Sequence, residues 1–237
     1  MYCKNQEYKV FTVDPFHHND FITNTKHNMI STKGLTFKYD NQDAVFKFPD
    51  IELGESENLL ILGKSGIGKT TLLHLLAGLL RPMDGSIEID DVPIHGLSNK
   101  QLDRFRGQNI GLIFQNNHAV QSLKVVENLK ARLFFAKKSV SPPRIADLLE
   151  HLDIADCTNK KVRELSEGQL QRLGIAMSIV HQPQVILADE PTSSLDDDNC
   201  NKVMQLLMEQ ADANDANLIV ITHDQRIKPL FTKKLEL

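Results

Sequence analysis

The chain has 237 residues, of which 41% are hydrophobic, 24% charged and 6% aromatic, with no tryptophan. Lys and Arg number 27 against 31 Asp and Glu, a net charge of −4, and no Lys/Arg cluster stands out, which argues against nucleic acid as the main partner. The length is enough for one large domain with its own apolar interior, and no run of 18 apolar residues exists to cross a bilayer as a helix.

The N-terminus (MYCKNQEYKV) lacks an apolar signal core, so a cytosolic location is expected. Cys3, Cys157 and Cys200 are odd in number and form no C-x-x-C pair, consistent with reduced thiols. Residues 1–28 mix polar and aromatic side chains without a helical or strand period. They predict a poorly ordered extension ahead of a domain over 29–237, with Met29 as an alternative start.

From Ile30 to Tyr39 the pattern has strand character, and Ala44 to Phe48 alternates weakly. Leu59 to Leu62 (LLIL) reads as a buried strand running into glycines, followed by helical spacing from Thr70 to Leu80. Gly85 to Ile94 alternates around Asp90-Asp91 and predicts a hairpin. Ile110 to Phe114 reads as another buried strand. In the middle third, Val125, Val126, Leu129, Leu133 and Ala136 share one helical face. Ser141-Pro142-Pro143 then starts a helix that turns Leu148, Leu149 and Leu152 inward. A strand at Val185 to Ala188, a helix near Asn199 to Ala213 and a strand at Leu218 to Thr222 restore the strand–helix alternation of a parallel sheet.

Two motifs carry chemistry. Gly63-Lys64-Ser65-Gly66-Ile67-Gly68-Lys69-Thr70 fits G-x-x-x-x-G-K-[ST] between a strand and a helix. Such a loop curls its backbone N–H groups around phosphate oxygens, aided by the positive end of the next helix. Lys69 would reach the β- and γ-phosphates and the Thr70 hydroxyl would ligate Mg²⁺; Thr71 is counted with the nucleotide-binding residues. The apolar run Val185 to Ala188 then ends in Asp189-Glu190, where Asp189 suits Mg²⁺ and Glu190 a general base on the attacking water. Together they predict an α/β P-loop NTPase.

Leu165-Ser166-Glu167-Gly168-Gln169 precedes Asp189 and also reads as a capping box, Ser166 capping a helix and Gln169 reciprocating. A capped helix N-terminus favours an anion. The run resembles the LSGGQ signature of the ATP-binding cassette (ABC) family, and the motif order resembles that family from Tyr39 to His223. The resemblance implies a RecA-like parallel core, an antiparallel β subdomain and a small helical insertion at about 116–169. It also implies roles for single residues: Gln115 senses Mg²⁺ and the γ-phosphate, Ser194-Leu195-Asp196 crosses to a partner subunit, His223 contacts the γ-phosphate and positions Glu190, and Tyr39 stacks on adenine. Glu167 departs from the pattern. Like charges 4 Å apart repel by roughly 4 kcal/mol at an effective dielectric of 20, so its side chain is expected to point away from the phosphate.

The same resemblance implies ATP hydrolysis with Mg²⁺ in a head-to-tail dimer, a homodimer or a pair with a related ABC ATPase chain, each ATP lying between one phosphate loop and Ser166, Gly168 and Gln169 of the other chain. It further implies separately encoded transmembrane subunits and a peripheral position on the inner face of the cell membrane; with the charge balance above, no nucleic acid partner is expected. DEPTSSLD and THDQRIK are similar to the lipoprotein-release and macrolide-export ATPases. The competing readings are a soluble ABC-type ATPase with a non-membrane partner and a non-hydrolysing nucleotide-binding scaffold.

Overall fold

The computed structural model describes residues 29–40, 43–114, 118–139, 141–193 and 195–237. The expectations for residues 1–28, Gln115 and Ser194 lie outside these. In chain order the strands are β1 (Ile30–Phe37), β2 (Phe46–Lys47), β3 (Glu52–Leu53), β4 (Leu59–Leu62), β5 (Asp84–Ile89), β6 (Val92–Pro93), β7 (Ile110–Ile113), β8 (Val185–Asp189), β9 (Asn217–Thr222) and β10 (Lys233–Glu236). The helices are α1 (Lys69–Leu76), α2 (Asn99–Asn109), α3 (Val125–Ala136), α4 (Pro142–His151), α5 (Glu167–Ile179) and α6 (Asp197–Asp212).

Strands β10-β4-β9-β8-β7 make a parallel sheet in that order. Its central strands are apolar on both faces because both faces are covered. Successive side chains point to opposite faces, so one strand feeds two cores. Leu60, Leu62, Ile186, Ala188, Leu218 and Val220 join Leu173, Ile175, Met204 and Leu207 from α5 and α6. Leu59, Ile61, Leu187, Ile219 and Ile221 join Leu72, Leu73, Leu75 and Leu76 of α1, with Ile30, Ile87 and Ile89 from the second sheet.

That second sheet is antiparallel: β2-β1-β5-β6, with β3 also pairing β1. The expected hairpin is present. Asp90 and Asp91 both take positive φ, 50° and 57°, the backbone a two-residue turn needs to match the strand twist.

Helix α1 ends at Leu76, short of the predicted Leu80. Gly78 turns left-handed at φ 63°. Its N–H then bonds Leu75 O at 2.9 Å while Leu79 N bonds His74 O at 2.8 Å, a Schellman stop. Two elements lacked an apolar period in the sequence: α2 is polar and buries only Leu102, its one signal being the Ser98–Gln101 capping box, and β10 is a half-buried edge strand. In α3, Val125, Leu129, Leu133 and Ala136 are buried and Val126 is half-buried. In α4, Ile145 and Leu149 are buried, Leu148 is half-buried, and Leu152 is buried just beyond the helix end.

Amide side chains fasten the N-terminal edge of the parallel sheet. Buried Asn217 donates through Nδ2 to Gly54 O (2.7 Å) and Glu57 O (2.8 Å). Leu218 N donates to Asn58 Oδ1 at 3.0 Å, and Gln184 Nε2 donates to Asp90 Oδ2 of the hairpin at 2.8 Å. Among the described residues no helix is long and apolar enough to cross a membrane.

Candidate functional site

The chemistry-bearing residues gather where β4, β8 and β9 end, at the C-terminal edge of a parallel sheet, the usual ligand side of such sheets. Leu62 pairs with Thr222 and Asp189 with Ile221, so residues 63, 190 and 223 leave the sheet side by side. After β4 the loop Gly63–Gly68 exposes Lys64, Ser65, Gly66 and Ile67. Gly68, the cap of α1, has φ 109°, and a Cβ there would come 2.8 Å from the Phe46 ring. Phe46 thus holds the loop from the antiparallel side.

Lys69 is the first residue of α1 and is buried. Its Nζ donates to Gly63 O at 2.8 Å and Lys64 O at 3.2 Å, and lies 3.7 Å from Glu190 Oε1. Thr70 Oγ1 donates to Asp189 Oδ2 at 3.0 Å across the β4–β8 interval. Burial raises the Asp189 carboxyl above the usual range and the Glu190 charge adds to this; the Thr70 hydrogen bond, His74 and Lys69 pull the other way. A buried carboxylate beside a second carboxylate and a hydroxyl is an all-oxygen donor set that fits a hard cation such as Mg²⁺.

Glu190 follows β8 with φ 49°, a left-handed conformation costing a non-glycine residue roughly 1–2 kcal/mol. Strain of that kind persists where surrounding contacts impose it. Here Glu190 N bonds Ile221 O at 2.9 Å. Its carboxylate accepts from Thr222 Oγ1 (2.6 Å) and His223 N (3.2 Å), with His223 Nδ1 at 2.8 Å from Oε1. The arrangement aims a fixed carboxylate, flanked by an ammonium and an imidazole, at the mouth of the phosphate loop.

Tyr39 is half-buried, packed edge-on against Phe37 and Phe46, and its hydroxyl meets Thr71 Oγ1 at 2.9 Å. Its aromatic group is therefore fixed to the start of α1. Ser166 and Gln169 form the expected box: Gln169 N donates to Ser166 Oγ (3.3 Å) and Ser166 N to Gln169 Oε1 (3.0 Å). Asp196 caps α6 by accepting from Asn199 N at 2.8 Å. Gly168 and Asp196 line one cleft of about 560 Å³ with Glu167, Arg172 and Lys202. The molecule therefore carries two groups of candidate residues, one around Lys69, Asp189, Glu190 and His223, the other around Ser166, Gly168, Gln169 and Asp196.

A sequence profile described as ABC transporter matches residues 47–193. The chain belongs to the ABC transporter ATP-binding family. The lipoprotein-releasing system ATP-binding protein LolD of Legionella pneumophila (strain Lens) is 36% identical over 185 residues, 77% of this chain and 82% of that protein. The ATP-binding cassette MJ0796, solved as a dimer in a post-hydrolysis state bound to ADP and Pi, superposes with a TM-score of 0.77 at 29% identity over 88% of this chain and 94% of that one. The cbiO1 cassette of Clostridium perfringens, part of the transporter complex cbiONQ, gives a TM-score of 0.75 at 30% identity over 86% and 81% of the two chains. This ABC protein binds ATP and ADP, and it is an ATP hydrolase; the expected fold and enzyme class are borne out.

Sequence reasoning missed three partners in this ABC site. Thr222 holds Glu190, Asp224 accepts from Thr192 Oγ1 at 2.9 Å, and Gln171 Nε2 donates to Pro191 O at 2.7 Å. Asp224 also forms a double contact with Arg226, whose hydrogen bonds and charge hold its carboxyl down at about 2. For Thr222 and Asp224 the signal was the run Thr222-His223-Asp224-Gln225-Arg226, in which a role in the site was assigned to the histidine alone.

Proposed function

We propose that this chain is the ATP-hydrolysing subunit of a membrane complex, working as an ATP-sandwiched dimer beneath separately encoded transmembrane subunits on the inner face of the cell membrane. The observation that carries this reading is the Glu190 constellation: a carboxylate held by Thr222 and His223 and set 3.7 Å from the phosphate-loop lysine.

In the proposed mechanism the N–H groups of residues 63–71 and Lys69 bind the phosphates of ATP, and Tyr39 meets the base. Thr70 and Asp189, with Gln115, would hold Mg²⁺, and the ion would supply charge neutralisation to the phosphate chain. Glu190 accepts a proton from the attacking water. His223 keeps Glu190 oriented and reaches toward the γ-phosphate. The capped start of α5 at Ser166, Gly168 and Gln169 contacts the partner chain's ATP, with Asp196 nearby, so nucleotide joins the two chains and hydrolysis releases them. The dimeric MJ0796 structure and the complex containing cbiO1 support the assembly. The likeness to LolD supports a task of the lipoprotein-release type.

The test is Glu190→Gln with Mg-ATP. Size-exclusion chromatography is expected to show an ATP-containing dimer with hydrolysis lost. A strictly monomeric variant that still binds ATP overturns the sandwich, and full retention of hydrolysis overturns the role of Glu190.

A further inference from the structure

Arg226 stands three residues beyond His223 and is the hub of a hydrogen-bond network. Its Nε donates to both Asp224 carboxylate oxygens, at 2.9 and 3.1 Å, and its Nη2 donates to Asp224 Oδ2 at 2.7 Å. From the same guanidinium, Nη1 donates to Leu195 O (3.2 Å) and to Asp197 Oδ1 (2.6 Å), while Nη2 lies 3.5 Å from Thr192 O. One planar group therefore ties the segment after β9 to the turn that leads into α6.

The network continues to the reacting carboxylate. Asp224 accepts from Thr192 Oγ1 at 2.9 Å; its own N–H donates to Thr222 Oγ1 at 3.0 Å; and that hydroxyl donates to Glu190 Oε2 at 2.6 Å. The Asp224 side chain is 9% exposed, so its charge is largely removed from water and its pairing is tight. An exposed ion pair contributes little by itself. A bidentate, partly buried pair that also captures two main-chain carbonyls fixes geometry, and lysine has no fork with which to do the same.

We propose that Arg226 is a positioning residue for ATP hydrolysis: it locks the turn before α6 to the segment carrying His223, so that Glu190 stays in register with the part of the chain facing the partner. The inference rests on the roles proposed above for Glu190 and for the dimer. It goes further in assigning to one arginine the coupling between the dimer-facing turn and the hydrolytic carboxylate.

The experiment is steady-state ATPase kinetics on the full chain, with wild type and Glu190→Gln measured beside Arg226→Ala, Arg226→Lys and Asp197→Asn, at a temperature well below the Tm of each. Arg226→Ala is expected to lower kcat about tenfold or more, as small misplacements of reacting groups do, with KM for ATP changed less than about twofold. Arg226→Lys is expected to resemble the alanine variant because charge alone does not bridge both elements. Asp197→Asn removes only the charge of the arm toward α6 and leaves Asp224 paired; it is expected to lower kcat with no more than the slight fall in Tm that loss of a first-turn carboxylate brings, and to add little in the Arg226→Ala background. If Arg226→Ala fails to fold, the lysine and Asp197→Asn variants carry the same comparison. A kcat within twofold of wild type in the folded Arg226 variants, or a full rescue by lysine, overturns the proposal. Loss of hydrolysis in Glu190→Gln alongside such a result leaves the role of Glu190 standing, whereas retained hydrolysis in Glu190→Gln removes the reading beneath it.

Discussion

Glu190 Oε1 and His223 Nδ1 lie 2.8 Å apart although they leave different strands, and the pairing of β8 with β9 is what brings them together. Thr222 closes the other side of the carboxylate at 2.6 Å. A carboxylate held on both sides keeps one orientation, and that is the property a base acting on a single water needs.

Replacing His223 by alanine removes one of those holds and leaves the phosphate loop intact. The expected result is a fall in kcat of about a hundredfold, within the usual range for acid–base groups, with KM for ATP within about threefold. Steady-state ATPase kinetics check this, and a KM that rises in step with the loss of kcat would place His223 in nucleotide binding instead.

The Lys69 ammonium is held by two carbonyls of its own loop and lies beside the Glu190 carboxylate. Lys69→Ala is therefore expected to weaken ATP binding at least tenfold, about 1.4 kcal/mol. Isothermal titration with ATP gives the number, and an unchanged Kd counts against a phosphate contact.

Glu167 occupies the first position of α5, where a carboxylate favours the positive helix end by about 0.3–1 kcal/mol, and its side chain is exposed. Glu167→Gly is expected to lower Tm slightly while leaving ATPase activity within a few-fold. A large gain or loss of activity would mean that the carboxylate meets the nucleotide.

His181 is fully buried, with Nε2 2.8 Å from Arg132 Nη2 and 3.2 Å from Ile110 O. Burial, then the charges of Arg132 and Lys138, push its pKa down to about 3. In the unfolded chain the imidazole titrates near 6.5. Between those values the unfolded chain holds the extra proton, so stability rises with pH through this window. Acidifying from neutrality to about pH 5 costs about 2 kcal/mol by this route. His181→Gln is expected to flatten the dependence of Tm on pH between 5 and 6.5, and an unchanged slope would show that His181 is not responsible.

Legibility from sequence followed how local each signal is. The phosphate loop, Asp189-Glu190 and the box at Ser166 and Gln169 are contiguous runs whose chemistry is written in adjacent residues, and they were read directly. The early stop of α1 was missed because Leu79 and Leu80 continue the apolar spacing past Gly78. Helix α2 was missed because only Leu102 of its side chains is buried. The link from Glu190 through Thr222 and Asp224 to Arg226 was not readable in advance. It joins residues of two strands, and no single segment contains the pattern.

The amides of Asn58, Gln184 and Asn217 fasten one margin of the parallel sheet. Among the described residues the opposite margin, which carries Lys69, Glu190 and His223, is held mainly by charged and hydroxyl side chains, with the Gln171 amide on Pro191 O beside them. The two ends of the sheet are thus fastened by different chemistry, mostly neutral amides at one and mostly charged groups and hydroxyls at the other. A change of charge at the phosphate end therefore acts on the bonds of that end and leaves the amide end untouched.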